Sequence, residues 1–418
     1  MPDNSPLTAN TGLSIQQARN LHLAAQGLLR PPRARAKRSS VLATIERMRL
    51  LQIDTIHVVA RSPYFVLFSR LGDYRPEWLD QLLARGAIFE CWAHEACFAA
   101  MGDLALHRNR DGLRASHWAH KHAARMHREH RVDMDRLLAH VRDTGAVKAS
   151  DFASTRPGGA GWWGWKDEKR WLEAWFVLGE LMIARREKFQ RVYDLSERVL
   201  AQAQQTAPDH VLTNDEIRRE FVLGAVGALG VAQARWIADY FRSGRKYKDT
   251  DMQPYVEAGD LIRVEVRGWD NPAYVHRDHA PLLARAQRGG LRATHTVLLS
   301  PFDPVVWDRE RASTMFGFDY TMECYTPGHK RRFGYYALPI LHRGRLLGRL
   351  DAKAHRTDGM FEVKAIFLEP GTRITPQLIE EVAQAIRRAA DWHQTPRVAI
   401  RKSDPKEFAK LLRNALDR

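Results

Sequence analysis

The chain has 418 residues, 44% of them hydrophobic, and a formal net charge of +16. Several packed units are expected at that length, and the basic excess favours a polyanion as partner: DNA, RNA or an anionic membrane surface. No stretch approaches the ~20 consecutive apolar residues that cross a bilayer. The polar start MPDNSPLTANTG lacks the layout of a signal peptide, and Cys91, Cys97 and Cys324 have neither zinc-finger nor disulfide-framework spacing. The expectation is a reduced, cytoplasmic protein, nucleoid-associated when bound, with nucleic acid rather than membrane as its partner.

In chain order, Ser14-Ile-Gln-Gln17 reads as a capping box opening a helix through Leu28. Between Arg30 and Arg38 stand Arg30, Arg33, Arg35, Lys37 and Arg38, two prolines and no acid. This is either a solvated loop or a phosphate-binding strap. A helix over Val41–Leu50 then runs into Leu50–Arg61, LLQIDTIHVVAR. In an extended backbone, Gln52 and Asp54 share one side with Ile53 anchored behind them. An amide and a carboxylate so placed could hold and activate one water. The alternative is that Asp54 caps a helix or turn and Gln52 is surface. Pro63–Ser69 is apolar and aromatic, Pro76–Leu83 reads as a short helix and Ala87–Trp92 as a strand. Short helices closed by a strand suit a winged helix-turn-helix unit.

Leu104–Arg131 reads as helical and carries His117, His120, His122, His127 and His130. Only Glu129 accompanies them, so an exposed basic face is expected rather than a metal site. The pattern then restarts. Met134–Arg142 is a helix ended by Gly145, Lys148–Ala153 a short helix, and Pro157–Gly161 a glycine-rich turn before three tryptophans, Trp162, Trp163 and Trp165. Lys166–Gly179 is a third helix, apolar at Trp171, Leu172, Trp175 and Leu178. Leu181–Ala184 and Gln190–Tyr193 follow as strands around a basic tip. A third restart opens with the capping box Thr213-Asn-Asp-Glu216. Helices Glu216–Ala228 and Val231–Phe241, a short helix Thr250–Val256 and a hairpin of Leu261–Val266 with Ala273–His276 follow. Gly224, Gly227 and Gly230 have the wrong spacing for a dinucleotide site, and tight helix contacts are expected of them.

The last part is richer in strands: Thr294–Ser300, Met322–Tyr325, Gly334–Ile340, Leu346–Leu350 and Phe361–Phe367. Thr326–Phe333 is a turn holding His329, Lys330, Arg331 and Arg332. A helix starts at Thr375-Pro376, and Lys406–Leu416 closes the chain. The fold class is mainly α with β: three tandem winged helix-turn-helix units, a C-terminal small β-sheet or barrel, and closing helices. The boundaries are 1–131, 132–210, 211–292 and 293–418.

LLQIDTIHVVAR, FECWAHEACF, WWGWKDEKRWLEAWFVLGELMIARREKFQRVYDLSERVL, LLSPFDPVVWDRERASTMFGFDY and CYTPGHKRRFGYYALPILHRGRLLGRLDAKAHR resemble, in that order, stretches of the YcaQ-like and AlkZ-like DNA glycosylases that unhook interstrand crosslinks. The resemblance implies three winged-helix units scaffolding a basic concave surface for duplex DNA. It implies catalysis by Gln52 and Asp54, since the family motif is Gln-apolar-Gln in one branch and Gln-apolar-Asp in the other. The second branch is associated with broader acceptance of N7-alkylated purines. The resemblance also implies a DNA-inserting β-hairpin, which sequence order puts at Thr326–Phe333.

N7 alkylation puts positive charge on the purine and makes it a good leaving group, so C1′ gains oxocarbenium character as the bond breaks. Asp54 suits stabilisation of that cation and proton abstraction from water; Gln52 suits orientation of the water. The motif contains no lysine, which favours a monofunctional glycosylase without a Schiff base. A tethered base cannot flip freely, so a shallow site is expected beside Asp54 rather than a deep pocket. Arg30, Arg33, Arg35, Lys37, Arg38 and His329–Arg332 are the expected DNA contacts. The expected protein is a monomer without cofactor or metal, acting on double-stranded DNA with alkylated bases or crosslinks. The rival is a non-catalytic winged-helix DNA-binding protein or transcription regulator, for which a carboxylate facing phosphates has little use. RNA binding is disfavoured by the absence of an aromatic-rich RNP motif.

Overall fold

The computed structural model describes residues 12–108, 118–152, 167–204 and 212–418. Two three-stranded sheets share one connectivity, each following helices, and a third helix-and-hairpin unit takes its extra strand from the N-terminus. In the first repeat the helix Arg38–Met48 buries Val41, Thr44, Ile45 and Met48, one face at helical spacing. It stops at Arg49, whose φ is 61°. With β1 denoting Gly12–Leu13, β2 is Leu51–Gln52, β3 Ile88–Trp92 and β4 Ala96–Ala100. The helices Ser62–Leu71 and Glu77–Ala84 lie between β2 and β3, and the sheet order is β2-β4-β3.

The second repeat places the helices Arg131–Thr144 and Asp167–Leu178 around a sheet of β5 (Val147–Lys148), β6 (Leu181–Glu187) and β7 (Gln190–Leu195), in the order β5-β7-β6. Gly145 ends the first of these helices at φ 90°. The helix expected at Lys148–Ala153 is not formed. Val147 and Lys148 pair with Tyr193 and Val192 instead, and Ala149–Asp151 makes only a 3-10 turn. Sheet pairing has taken the backbone groups that would have started the helix. Ala153, the turn Pro157–Gly161 and the tryptophans Trp162, Trp163 and Trp165 lie outside the described residues, as does His117.

In the third repeat, the helices Asn214–Leu229 and Ala234–Phe241 and the short helix Gln253–Glu257 precede the hairpin of β8 (Leu261–Val266) and β9 (Ala273–His276). Ala232 bridges to Tyr274, which repeats the edge pairing of the other two sheets. On its other edge β8 takes β1 in parallel. The N-terminal strand and the helix Ile15–Ala25, opened by the Ser14 capping box, therefore pack with this unit, and they share an apolar cluster with Leu50, Phe89 and Cys97 of the first repeat. Gly230 explains one of the spaced glycines: a Cβ there would lie 2.6 Å from the Ala25 Cβ and 3.0 Å from the Leu21 carbonyl oxygen.

The last unit is a five-stranded sheet, β10-β11-β12-β13-β14, made of Thr296–Leu298, Ala337–His342, Arg345–His355, Met360–Leu368 and Arg397–Asp404. The helix Pro376–Trp392 crosses over to bring β14 parallel to β13, and the helix Lys406–Leu416 packs against that helix and β14. The strand expected at Met322–Tyr325 is irregular. The Glu323 carboxylate accepts the N–H groups of Arg332 (2.9 Å), Phe333 (2.7 Å) and Gly334 (3.1 Å), so a side chain satisfies the backbone that a neighbouring strand would have paired. Thr326–Phe333 is accordingly a compact turn around Gly328–Lys330, not a β-hairpin.

Two apolar clusters cross these units. One joins the first and second repeats to the five-stranded sheet; the other joins the N-terminal helix, the third repeat and residues 297–320 to one face of the first repeat through Leu50, Phe89 and Cys97. They meet at a buried ion pair: Arg70 donates from Nη1 to Asp303 Oδ2 (2.6 Å) and from Nη2 to Oδ1 (3.0 Å), with both side chains at most 1% exposed.

Candidate active site

Gln52 ends β2 opposite Cys97, and the Ile53 N–H continues the ladder to the Ala96 carbonyl (2.7 Å). The chain then leaves the sheet. Ile53 is buried in the core, which pins the segment from behind. Gln52 is also buried, at 7% exposure, and its side-chain oxygen has no hydrogen-bond partner among the described residues. A buried amide acceptor left open costs free energy unless something fills it.

Asp54 is half-buried. One carboxylate oxygen accepts the Ile56 N–H at 2.7 Å, an Asx turn that starts the next bend. The turn role weighed for this residue is thus real, but it occupies one oxygen only. Burial raises the carboxyl above the usual range, against the Ile56 N–H, which lowers it. No cation pairs with it among the described residues.

The loop Met322–Phe333 comes to this carboxylate from far along the sequence. Burial raises the Cys324 thiol, and the Asp54 charge raises it further. Asp54 acts in the same direction, after burial, on Tyr325 and on the wholly buried Tyr336. Tyr325 is 85% exposed, which is unusual for a large aromatic. Glu95, in the turn between β3 and β4, also acts on Tyr325. Sequence reasoning found none of Glu95, Cys324, Tyr325 and Tyr336. The signal available was an aromatic just ahead of Thr326-Pro327-Gly328.

Of the basic residues expected to meet DNA, His329, Lys330 and Arg332 are exposed on this same loop. Arg331 is half-buried, donating to the Thr326 carbonyl (2.7 Å) with its guanidinium 4.9 Å from the Tyr335 ring. The second set lies elsewhere. Arg30, Arg33, Arg35 and Lys37 are exposed, and Arg38 opens its helix and donates to Gln81 (3.2 Å). Their strap borders a cavity of about 650 Å³ lined also by Phe68, His295 and Trp392. Among the described residues no hydrogen bond or ion pair joins the strap to Gln52, Asp54 or the 322–333 loop. Neither this cavity nor the smaller one at Phe89, His107 and Phe176 is lined by Gln52 or Asp54.

A second carboxylate of this region ties the first sheet to the second repeat. Glu90 on β3 is fully buried and binds Arg186 (2.6 Å) and Arg191 (2.8 Å), both from the β6–β7 hairpin. The hairpin tip, Lys188-Phe189, has φ values of 49° and 70°. The Phe189 ring lies 4.3 Å from the guanidiniums of both Arg61 and Arg186.

Among the described residues, no group of three or more His, Cys, Asp or Glu side chains could hold a metal ion, and no helix is long and apolar enough to cross a membrane. The family described as "DNA glycosylase AlkZ-like" matches residues 45–392, most of the chain and all of the site described above. The DNA glycosylase AlkZ of Streptomyces sahachiroi has a similar solved structure, with a TM-score of 0.60 at 16% identity over 93% of this chain and 99% of that one. At that identity the likeness is one of fold.

Proposed function

This chain belongs to the AlkZ-like DNA glycosylase family, and from that premise we propose that it is a monofunctional glycosylase that hydrolyses the N-glycosidic bond of N7-alkylated purines in duplex DNA, interstrand crosslinks included. Two observations support the reading: the buried Gln52 oxygen is open, and Asp54, two residues on, is half-buried with no cation paired to it among the described residues. The three helix-and-sheet repeats act as winged helix-turn-helix units that present this pair to DNA.

A water bound between them donates one hydrogen to the Gln52 oxygen and the other to Asp54. The departing base is already cationic, so it needs little protonation. Positive charge builds at C1′, where Asp54 stabilises it and takes the proton of the attacking water. Partial burial strengthens both effects, because the carboxylate has lost water and a raised pKa makes it a better base. The site lies in neither main cavity, which supports approach to C1′ from a groove. A base tethered to the opposite strand needs that approach.

The test is incubation with a duplex carrying one 7-methylguanine and with a mustard-crosslinked duplex, followed by hot alkali. Strand scission at the adduct is expected with both. Wild-type protein that binds both duplexes and leaves no abasic site in either would refute the activity. Gln52→Ala should lose about 10²-fold in kcat, the scale of a misplaced reactant, with Kd for the same duplex unchanged.

A further inference from the structure

The segment that follows Asp54 gathers basic side chains that no carboxylate among the described residues answers. His57 is exposed, three residues on. The Val58 carbonyl accepts the Ala354 N–H (2.8 Å), which brings the end of β12 and its turn, with Arg356, alongside. The Ala60 N–H donates to His393 Nε2 (2.8 Å) and fixes the other side. Arg61 follows. Its guanidinium lies on the Phe189 ring, and its Nε is buried without a partner. Arg186, on the same ring, is neutralised by Glu90. Among the described residues, no carboxylate lies within ion-pair distance of Arg61 or Arg356, although Asp358 shares the turn with Arg356. The helix Ser62–Leu71 starts just after Arg61 with no acid in its first turn, so its positive dipole end adds to the same charge. The groups feel one another: burial, then Arg356 and Arg61, hold His57 down to about 4, and burial, then Arg61, lower Arg356.

We propose that His57, Arg61 and Arg356 form a phosphodiester-binding cluster that grips the DNA backbone beside the nucleotide facing Asp54. It rests on the reading of Asp54 as the reacting carboxylate only for its register on the DNA. Two guanidiniums match the paired oxygens of a phosphate, and the imidazole, neutral at pH 7, adds one N–H. Three extended residues reach about 10 Å, so the gripped phosphate lies within about three phosphates of the target on the same strand, at about 3.4 Å of rise each.

Arg356→Gln, in an exposed turn, and Arg61→Gln, which also uncovers Phe189, test this on the full chain. Binding is measured over a salt series to undamaged duplex and to a 7-methylguanine duplex. Each variant should weaken both to a similar degree and flatten the slope of log K against log salt by about 0.9, one phosphate contact. A scan with single, uncharged methylphosphonates should find one or two positions flanking the adduct that weaken the wild type and leave the double variant unaffected. A folded Arg356→Gln protein with unchanged salt slope, or methylphosphonates that weaken it as they weaken the wild type, would overturn the cluster. If the binding results hold and no duplex loses a base, the glycosylase reading fails and the cluster stands.

Discussion

Two carboxylates of one small sheet, Glu90 and Asp54, live under opposite rules. Glu90 is fully buried; burial alone would raise its carboxyl, and Arg191 and Arg186 more than reverse this. Asp54, just past the other edge strand, is only half-buried, is raised, and pairs with no cation among the described residues. A buried carboxylate answered by two guanidiniums cements two units together. A carboxylate left proton-hungry at a surface is available for chemistry, and its neighbours Tyr325 and Cys324 are contributed by a loop instead of a salt bridge. Position within a fold thus says less about a carboxylate's role than the charge placed opposite it.

The contrast can be broken most directly at Asp54. Asp54→Asn should lower glycosylase turnover by about 10²–10⁴-fold, the range for a general base, with duplex binding equal or tighter. Its effect on stability has a definite sign. A carboxyl raised in the folded protein contributes stability below its unfolded pKa, and that contribution is lost as pH rises through the folded value. At neutral pH the charged Asp54 is therefore a burden, and the asparagine variant should melt no lower than wild type in calorimetry. Loss of activity and stability together would erase the distinction.

Glu90→Ala is the mirror image. It leaves Arg186 and Arg191 without a counter-charge, and about 3–5 kcal/mol of unfolding free energy should go. Denaturant titration measures that loss, and the fraction still folded should keep its turnover per molecule. A Glu90 variant of full stability and no activity would move Glu90 into the chemistry.

Acidification sharpens the same point for histidines. Burial, ahead of every other cause, holds His393 and His295 down to about 4 and His22 and His94 to about 3. A depressed pKa gives stability that is complete above the unfolded value of about 6.5 and is lost as pH falls through the folded one. Melting temperature should therefore decline from about pH 6.5 down to 4. A flat profile there would show these imidazoles to be solvated. The smallest effect is expected at Tyr325. If its exposed ring stacks on a base, Tyr325→Ala should weaken duplex binding by about 1 kcal/mol, at the low end for such contacts, with no change in melting.

Local signals made much of this legible beforehand. The capping boxes at Ser14 and Thr213 are closed by residues three positions on, and Gln52 ends a strand whose ladder runs on to the Ile53 N–H. What depended on distant partners was not legible. Arg397–Asp404 shows only Val398 and Ile400 between cations, and becomes a strand because Met360–Leu368 lies beside it. Met322–Tyr325 has strand-forming residues, yet Glu323 turns its carboxylate on the following backbone and closes a loop. Arg186 and Arg191 are 96 and 101 residues from Glu90, so no spacing rule could join them. Tyr325 falls at the end of the strand expected at Met322–Tyr325 and is 85% exposed on a loop.

The pair between Arg70 and Asp303 has a consequence for biosynthesis. Its partners are 233 residues apart. At about 5–20 residues per second, Arg70 waits roughly 10 to 50 s on the ribosome before its counter-ion is even made. Until then the first repeat carries a charge that its own core cannot solvate. Its docking with the N-terminal helix therefore stays open until the last third of the chain arrives. The strand that ends at Gln52 is made early and finished late, so a ribosome-stalled or truncated chain ending before Asp303 should present Gln52 and Asp54 without a settled frame around them.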